Sequence, residues 1–365
     1  MFLIVARNFP PDIGGIQMLM GGLCESLSNH GPVTAYTYEH NNSELYDKKS
    51  NITIKRIKGI KLFRKYRKAN LVNSFIEEKE NIRAVIADHW KSLELIKVEN
   101  LKKVKTFCLL HSKEINHEIG SSMNKRLNKT LNNIDFIIAN SNFTKELAIK
   151  VGVDKKKISI IFPGVEKPKK IENVKKVKAE KFFEDCFPKI ITVSRLDKRK
   201  GHDKILMLIK NLKSKYPKIK YLSVGTGKEE KNLFNLRKEL NLENEVTFLK
   251  NINYDDKISL IAEANLFLMP SRVEKKSVEG FGISFIEAAS YGVGSIGGKD
   301  GGASDAIVHK KTGLLCDGND LSSIHDSVIS FFNNNNFKKY GINAVKFSEN
   351  FHWNKIVKQY LKLIN

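Results

Sequence analysis

Two glutamates eight residues apart, Glu279 and Glu287, are separated by a Gly-Phe-Gly turn and an apolar run in the stretch EGFGISFIE. Glycine is unfavourable inside a helix, so the pattern predicts a loop that carries Glu279 and a helix that begins near Gly282 and contains Glu287. The beginning of a helix exposes N–H groups that bind anions and polar ligands. We therefore expect the two carboxylates to contact one bound molecule from two directions.

Two further polar motifs follow predicted strands. In SRLDKRKGHD, Arg195 can offer a planar fork of donors to phosphate oxygens, and Lys200 a mobile point charge. In NFPPDIGGIQ, Gly14 and Gly15 let the backbone approach a ligand just before a helix. A solvated basic loop and a tight strand-to-helix turn stay open as alternatives. The second motif lacks the GxGxxG fingerprint, which disfavours a nicotinamide or flavin dinucleotide.

The order of the predicted elements indicates an α/β protein. Short β-branched runs alternate with amphipathic stretches, and the series occurs twice. This predicts two facing, Rossmann-like domains with doubly wound parallel sheets, over residues 1–165 and 188–350, joined by a charged linker over 166–187. The amphipathic helix expected near 351–365 would pack back on the first domain. Because open parallel sheets bind ligands beyond the carboxyl ends of their strands, we expect the site in the cleft between the domains.

Composition limits the class of protein. A chain of 365 residues with 41% hydrophobic and 28% charged residues fits two globular domains. The four cysteines have no paired spacing, which argues against a zinc site or a disulfide framework and favours a reducing compartment. The apolar run before Arg7 is too short for a signal peptide, and no later run approaches the ~20 residues of a membrane span. We expect a cytoplasmic protein that does not span the membrane.

The net charge of +23 suggests a polyanionic partner, either nucleic acid or an anionic membrane. Three of the 10 arginines lie in residues 55–71, KRIKGIKLFRKYRKANL, where basic residues alternate with aliphatic and aromatic ones. Such a segment is typical of a membrane-surface element, and a solvated helix or loop and a nucleic-acid patch stay open as alternatives. The residues expected to contact membrane or acceptor are Arg56, Lys61, Phe63, Arg64, Lys65, Arg67 and Lys68.

Taken together, the motifs resemble the family 4 glycosyltransferases, a large retaining family with two facing Rossmann-like domains. The resemblance rests on GGIQ, SRLDKRKG, EGFGISFIE with a Gly-Gly turn at 301–302, and a tryptophan-bearing C-terminal helix, and so covers most of the chain. Within the family, FPPDIGGIQ, VEGFG and GGASDAI are most similar to bacterial mannosyltransferases that act on phosphatidylinositol mannosides.

The resemblance implies roles for the residues of the glutamate motif. Glu287 would bind the ribose hydroxyls of a nucleotide, and Glu279 would bind hydroxyls of the donor sugar. The backbone N–H groups of Phe281, Gly282 and Ile283 would hold the sugar and the diphosphate.

The resemblance assigns the other motifs to the phosphates and the reacting centre. Arg195 and Lys200 would neutralise the departing diphosphate, and Gly14 and Gly15 would approach the same phosphates from the first domain. His111 would lie near the sugar; a purely structural hydrogen bond is its alternative role.

The function implied is a retaining glycosyltransferase that moves a hexose from a GDP-mannose or UDP-glucose type donor to a lipid or lipid-linked glycan acceptor at the inner membrane face. The nucleotide sugar is a substrate, and no cofactor, metal or nucleic acid is expected. A nucleotide-sugar epimerase of similar architecture and a non-catalytic basic protein that binds membrane or nucleic acid stay open as alternatives. Ser112, Gly294 and Ser304 depart from the family pattern, the first from a glycine and the other two from prolines.

Overall fold

The computed structural model describes all 365 residues, which form two compact units. The first unit contains Met1–Glu166 and Phe351–Asn365, and the second contains Lys167–Asn350. Each unit has one sheet, and all strand pairs in both sheets are parallel. The prediction of an α/β protein with two doubly wound parallel sheets is therefore confirmed.

The first unit has a seven-stranded sheet with the order β3-β2-β1-β4-β5-β6-β7. Its strands are short and apolar because both faces of a parallel sheet are covered; all four residues of β1 and of β4 are buried. The strands are β1 Phe2–Val5, β2 Val33–Tyr38, β3 Thr53–Ile57, β4 Ala84–Ala87, β5 Lys105–Leu110, β6 Phe136–Ala139 and β7 Ile158–Ile160. The helices are α1 Gly15–Ser28, α2 Ser43–Lys49, α3 Lys61–Glu78, α4 Trp90–Leu93, α5 Val98–Leu101, α6 Ser122–Leu131 and α7 Asn142–Lys150.

The second unit has a six-stranded sheet with the order β10-β9-β8-β11-β12-β13. The strands are β8 Lys189–Val193, β9 Lys220–Val224, β10 Val246–Leu249, β11 Leu266–Met269, β12 Ser295–Gly298 and β13 Gly313–Cys316. The helices are α8 Asn173–Phe183, α9 His202–Leu212, α10 Glu230–Glu239, α11 Tyr254–Glu263, α12 Ile283–Ser290, α13 Ala303–Ala306, α14 Leu321–Phe332 and α15 Asn336–Ser348. The sequence did not predict β13, because the run GLLC contains no β-branched or aromatic residue.

The last helix, α16 Trp353–Ile364, belongs to the first unit. Trp353 is buried, and its indole ring occupies the space that a Cβ would take at Gly22 of α1 and at Gly164. The chain enters this helix beside residue Val165, whose N–H donates to Phe351 O at 2.8 Å and whose carbonyl accepts from Trp353 N at 3.1 Å. The chain therefore returns to the first unit after completing the second.

The segment predicted as a linker, 166–187, differs from that prediction in the structure. All of it after Glu166 belongs to the second unit, and α8 packs against α11. Lys175 and Lys178 of α8 donate to the two carboxylate oxygens of Asp256 in α11, at 2.5 and 2.7 Å. The lysines that suggested a charged linker thus pair with an acidic residue 81 and 78 positions further on.

None of the helices combines the length and the apolar character that a membrane crossing requires.

Candidate functional site

Two loops of the second unit bring acidic and basic side chains into contact. The loop after β8 carries Arg199 and Lys200, and the loop before α12 carries Glu279. The Arg199 guanidinium donates to Oε2 of Glu279 at 2.8 Å, and the Lys200 ammonium donates to the same oxygen. Lys200 and Glu279 are 7% and 8% exposed. The structure therefore brings two of the predicted site residues together and adds Arg199 to them.

The two cations keep the buried carboxylate ionised. Burial alone would raise the pKa of Glu279, but the charges and hydrogen bonds of Lys200 and Arg199 lower that pKa to about 2. Only Oε2 is used in these contacts, and Oε1 of Glu279 has no hydrogen-bond partner. The site thus presents one free oxygen of a permanently charged carboxylate.

Glycines let the two loops pack closely enough for these contacts. Gly201 has φ 78°, and a Cβ there would lie 2.5 Å from the carbonyl oxygen of Pro270, at the end of β11. Gly301 has φ 86°, and a Cβ there would lie equally close to the carbonyl oxygen of Glu279, which accepts from Gly302 N at 2.9 Å. A larger residue at 201 would push the loop after β8, the basic loop, away from the segment that follows β11 and leads to Glu279. A larger residue at 301 would push the loop after β12 away from Glu279.

Helix α12 begins as the spacing predicted. Gly282 is its N-cap with φ 90°, in the left-handed region that favours glycine, and Ile283 is its first residue. The backbone N–H groups of both residues have no hydrogen-bond partner, which is the arrangement that binds anions at a helix N-terminus. Phe281 is buried beneath them at 2% exposure.

Glu287 lies inside α12 and is also held through one oxygen. Its Oε1 accepts from the Lys257 ammonium at 2.7 Å, and the side chains of Glu287 and Lys257 are 6% and 12% exposed. Its Oε2 has no hydrogen-bond partner. Glu279 and Glu287 therefore share one design, in which a cation binds one carboxylate oxygen and leaves the other open.

Arg195 projects from the same loop as Arg199 but contacts neither glutamate. Its side chain is 63% exposed and pairs with Asp197 at 3.1 Å. An exposed guanidinium with one carboxylate partner keeps free donors for a ligand.

In the first unit, His111 follows β5 and is bonded to the end of β4. One ring nitrogen, Nε2, lies 2.9 Å from the carbonyl oxygen of Asp88, and the His111 N–H donates to Glu114 at 2.5 Å. The Asp88 carboxylate is fully buried and accepts from the backbone N–H groups of Arg7 and Asn8, at 3.0 and 2.9 Å. Asp88 therefore joins the carboxyl ends of β1, β4 and β5.

The glycines after β1 lie at the beginning of α1. Gly14 is the N-cap with an extended φ of 168°, and Gly15 is the first helical residue. Asp12 fixes the turn, since its side chain accepts from Ile13 N at 2.9 Å and from the amide of Gln17 at 2.8 Å. The Gln17 amide that Asp12 holds lies against Gly14, where its Oε1 would clash with a Cβ, so only glycine fits at this position of the turn.

Two members of the predicted membrane or acceptor set are structural. Arg56 belongs to β3, binds both oxygens of Asp47 at 2.7 and 3.1 Å, and is 8% exposed on its side chain. Lys68 is 3% exposed and donates to the carbonyl oxygen of Ala6 at 2.8 Å. Burial lowers the pKa of Lys68 to about 8. The prediction that these two residues contact a membrane is wrong, because a charge pattern does not reveal which side of an element is covered.

The remaining members of that set lie on the exposed first half of α3. Lys61, Lys65 and Arg67 are exposed, Arg64 is half-buried, and Phe63 is 57% exposed. Three further large apolar side chains are exposed with them, Ile60, Leu62 and Tyr66. The surface formed by Ile60–Arg67 is thus both basic and apolar.

Three residues of these sites were not singled out from the sequence. Arg199 stood within the quoted basic motif, and its position next to Lys200 was the available signal. Asp88 follows a predicted strand, which is where polar ligands of parallel sheets are expected. Lys257 carried no signal, because its partner lies 30 residues away.

Two family descriptions match almost the whole chain. Residues 13–167 match Glycosyltransferase Family 4, and residues 173–347 match Glycosyl transferases group 1. The division between the two matches falls close to the division between the two units.

Curated relatives match along most of their length. The chain is 26% identical to the GDP-mannose-dependent monoacylated alpha-(1-6)-phosphatidylinositol monomannoside mannosyltransferase of Corynebacterium glutamicum, over 90% of this chain and 87% of that protein. It is also 26% identical to the GDP-mannose-dependent alpha-(1-6)-phosphatidylinositol monomannoside mannosyltransferase of Mycobacterium tuberculosis, over 89% and 87% of the two chains.

Solved structures share the fold at low identity. HepE of Anabaena in complex with UDP matches with a TM-score of 0.83 at 18% identity, over 100% of this chain and 99% of that chain. Sucrose-phosphate synthase of Thermosynechococcus elongatus matches with a TM-score of 0.80 at 20% identity, over 99% and 97%. At such identities the likeness shows the two-sheet architecture.

Replacing Ser112 by glycine should raise the free energy of unfolding of the first unit by about 1 kcal/mol. Ser112 follows His111 with φ 90°, and its buried hydroxyl has no hydrogen-bond partner, so glycine relieves both costs. Both tryptophans lie in the first unit, so urea unfolding followed by tryptophan fluorescence reports on it. Ser50→Gly, at φ −83°, is the control and should only lose stability; a similar loss in both variants would contradict the prediction.

The stability of the second unit should depend on the ionisation of Glu279. Since the folded pKa is about 2 and the unfolded value about 4.3, the contribution is fully present above about pH 4.3 and is lost as the pH falls towards 2. Glu279→Gln should therefore cost about 3 kcal/mol at neutral pH and much less near pH 2. Urea unfolding followed by circular dichroism measures the difference. Glu243→Gln, at an exposed position, is the control; a cost for Glu279→Gln that does not change with pH would refute the assignment.

Proposed function

Since the chain belongs to the family 4 glycosyltransferases, we propose that it is a retaining enzyme that transfers a hexose from a nucleotide diphosphate sugar to a lipid or lipid-linked glycan. Donors of the GDP-mannose and UDP-glucose types are the candidates. The relatives from Corynebacterium and Mycobacterium support the former by their names, and HepE, whose structure contains UDP, supports the latter.

One observation carries the proposal for the donor. Both glutamates are buried and held by a cation through one oxygen, and both leave the second oxygen without a partner. Hydroxyl groups are the natural partners of such an acceptor, and a nucleotide sugar offers them on its ribose and on its hexose. In this proposal Glu287 binds the ribose and Glu279 binds the hexose.

The loop after β8 supplies the positive charge that the diphosphate of the donor requires. As the bond between the sugar carbon and the diphosphate oxygen breaks, negative charge develops on the diphosphate and positive charge on the sugar. Arg195, Lys200 and the N–H groups of Gly282 and Ile283 would stabilise the diphosphate, and such preorganised donors are the largest single contribution in many enzymes. In a retaining transfer the acceptor oxygen bonds to the same face of the sugar, and its proton passes to the leaving diphosphate.

Helix α3 supplies the proposed contact with the acceptor's membrane. Its exposed surface Ile60–Arg67 combines basic side chains with aliphatic and aromatic ones, as in helices that lie at the surface of anionic bilayers. We place the protein at the inner face of the cell membrane on this basis. His111, at the carboxyl end of β5 in the same unit, is proposed to lie near the reacting centre when donor and acceptor are bound.

The competing functions differ in what they do without an acceptor. A nucleotide-sugar epimerase would convert the donor to an isomeric sugar nucleotide in the absence of lipid. A non-catalytic membrane or nucleic-acid protein would leave every donor unchanged. The similarity to named mannosyltransferases supports neither.

Incubation of the protein with GDP-mannose or UDP-glucose and a membrane lipid extract should release the matching nucleoside diphosphate. Arg195→Ala should lower that rate by about 10²–10³-fold, because a donor to the departing diphosphate is lost. Lys198→Ala, which removes an exposed cation from the same loop, is the matched control and should retain most activity. Release that is equal in the two variants would refute the phosphate role of Arg195, and the absence of release from every donor would refute the function.

The double variant Lys61→Gln/Lys65→Gln should bind vesicles of phosphatidylcholine and phosphatidylglycerol about 30-fold more weakly than the unmodified protein. Each cation near an anionic surface contributes about 1 kcal/mol, and neither side chain has a carboxylate partner. Sedimentation with vesicles measures the affinity. Lys358→Gln/Lys362→Gln on α16 removes the same charge from another exposed helix of the first unit. An equal loss in this control would mean that total charge, and not the α3 surface, determines membrane binding.

A further inference from the structure

We propose that Lys257 is a positioning residue for nucleotide binding, which holds Glu287 so that one carboxylate oxygen is presented to the ribose hydroxyls. The inference rests on the function proposed above, in which Glu287 binds the ribose. Lys257 itself contacts the carboxylate and not the nucleotide.

The contact joins two neighbouring helices. The Lys257 ammonium of α11 donates to Oε1 of Glu287 of α12 at 2.7 Å, and it lies 4.5 Å from the centroid of the Tyr254 ring. Both charged side chains are almost fully removed from water, at 12% and 6% exposure. Burying either charge alone would be costly, so each requires the other. The lysine therefore determines the orientation of the carboxylate.

Ion pairs of the same unit differ in whether they leave a carboxylate oxygen open to a ligand. Glu245 also accepts from a lysine, Lys213, through Oε1 only, but its Oε2 is fully buried. Asp256, which precedes Lys257, has both carboxylate oxygens occupied, by Lys175 and Lys178. Asp203 likewise binds Arg272 through both oxygens, at 3.0 and 2.8 Å. Glu287 is buried more deeply than these two aspartates, with a side-chain exposure of 6% against 11% and 30%, yet it uses only Oε1. Its Oε2 is not sealed from water and is left for a partner from outside the protein.

The chemistry of that partner follows from the charge. A buried carboxylate with one open oxygen accepts hydrogen bonds and repels anions, so it selects a neutral donor such as a sugar hydroxyl. The ribose of a nucleotide supplies two such hydroxyls side by side. A charge-assisted hydrogen bond of this kind corresponds to about tenfold or more in affinity.

The experiment compares GDP with 2′-deoxy-GDP, and UDP with 2′-deoxy-UDP, as ligands in calorimetric titrations. The unmodified protein should bind the ribonucleotide of the preferred base about tenfold more tightly than its deoxy counterpart. Lys257→Met should lower the affinity for the ribonucleotide about tenfold and the affinity for the deoxynucleotide less than about twofold. The variant should therefore bind the two nucleotides about equally. Lys178→Met, which removes a lysine from the ion pair with the preceding residue, should keep the discrimination.

A double variant protects the test against misfolding of Lys257→Met, which leaves a buried carboxylate unpaired. Lys257→Met/Glu287→Gln contains neither charge and should fold. If Lys257 acts through Glu287, this variant binds each nucleotide with the affinity of Glu287→Gln alone. A further loss in the double variant, or an equal loss for ribo- and deoxynucleotides in Lys257→Met, overturns the proposal for Lys257. Absence of nucleoside diphosphate binding by the unmodified protein overturns the proposed function as well.

Discussion

The second unit depends on one electrostatic constraint: carboxylates that must stay charged are buried, and each needs a buried cation. Burial without compensation would protonate or expose Glu279, whereas Lys200 and Arg199 lower its pKa to about 2. The compensation must come from elsewhere in the chain, here from a loop 80 residues earlier. Gly201 allows the basic loop to approach the carbonyl oxygen of Pro270, and Gly301 allows the loop after β12 to approach the carbonyl oxygen of Glu279.

This constraint explains why the loop after β8 contains both cations that are paired with a buried carboxylate and a cation that is exposed. Lys200 and Arg199 are committed to Glu279 in the structure, whereas Arg195 is exposed and has donors to spare. In the proposed function, a diphosphate that reaches this loop would meet the exposed Arg195 guanidinium first. Engagement of Lys200 by the phosphate would leave Arg199 as the cation that keeps Glu279 ionised. Sharing of one carboxylate oxygen between two cations thus allows one of them to change partner without leaving a buried charge unpaired.

Local sequence patterns predicted the strands and helices, but they did not predict which side chains form ion pairs with one another. The strands of both sheets were evident because short apolar runs are what sheets covered on two faces require, and the beginning of α12 followed from Gly282. The strand β13 was missed because its four residues include no β-branched or aromatic side chain. Lys257 escaped for a different reason: the side chain it contacts is 30 residues away, and only packing of α11 against α12 brings the two together. The packing of the predicted linker was missed for the same reason, because its lysines form ion pairs with Asp256 on α11.

The same reasoning separates a functional cation from an abundant one in a chain with 63 lysines and arginines. Arg56 and Lys68 lie in the most basic stretch of the sequence, yet both are buried and bonded to Asp47 or to a main-chain carbonyl. Lys61 and Lys65 on the exposed face of α3 have no carboxylate or carbonyl partner, and they stand beside exposed aromatic and aliphatic side chains. Charge density is therefore a weak guide, and what identifies a binding surface is charge that the fold leaves uncompensated next to apolar area it leaves uncovered. By this criterion the surface Ile60–Arg67 is the one that supports the proposed membrane contact, and much of the remaining positive charge does not qualify.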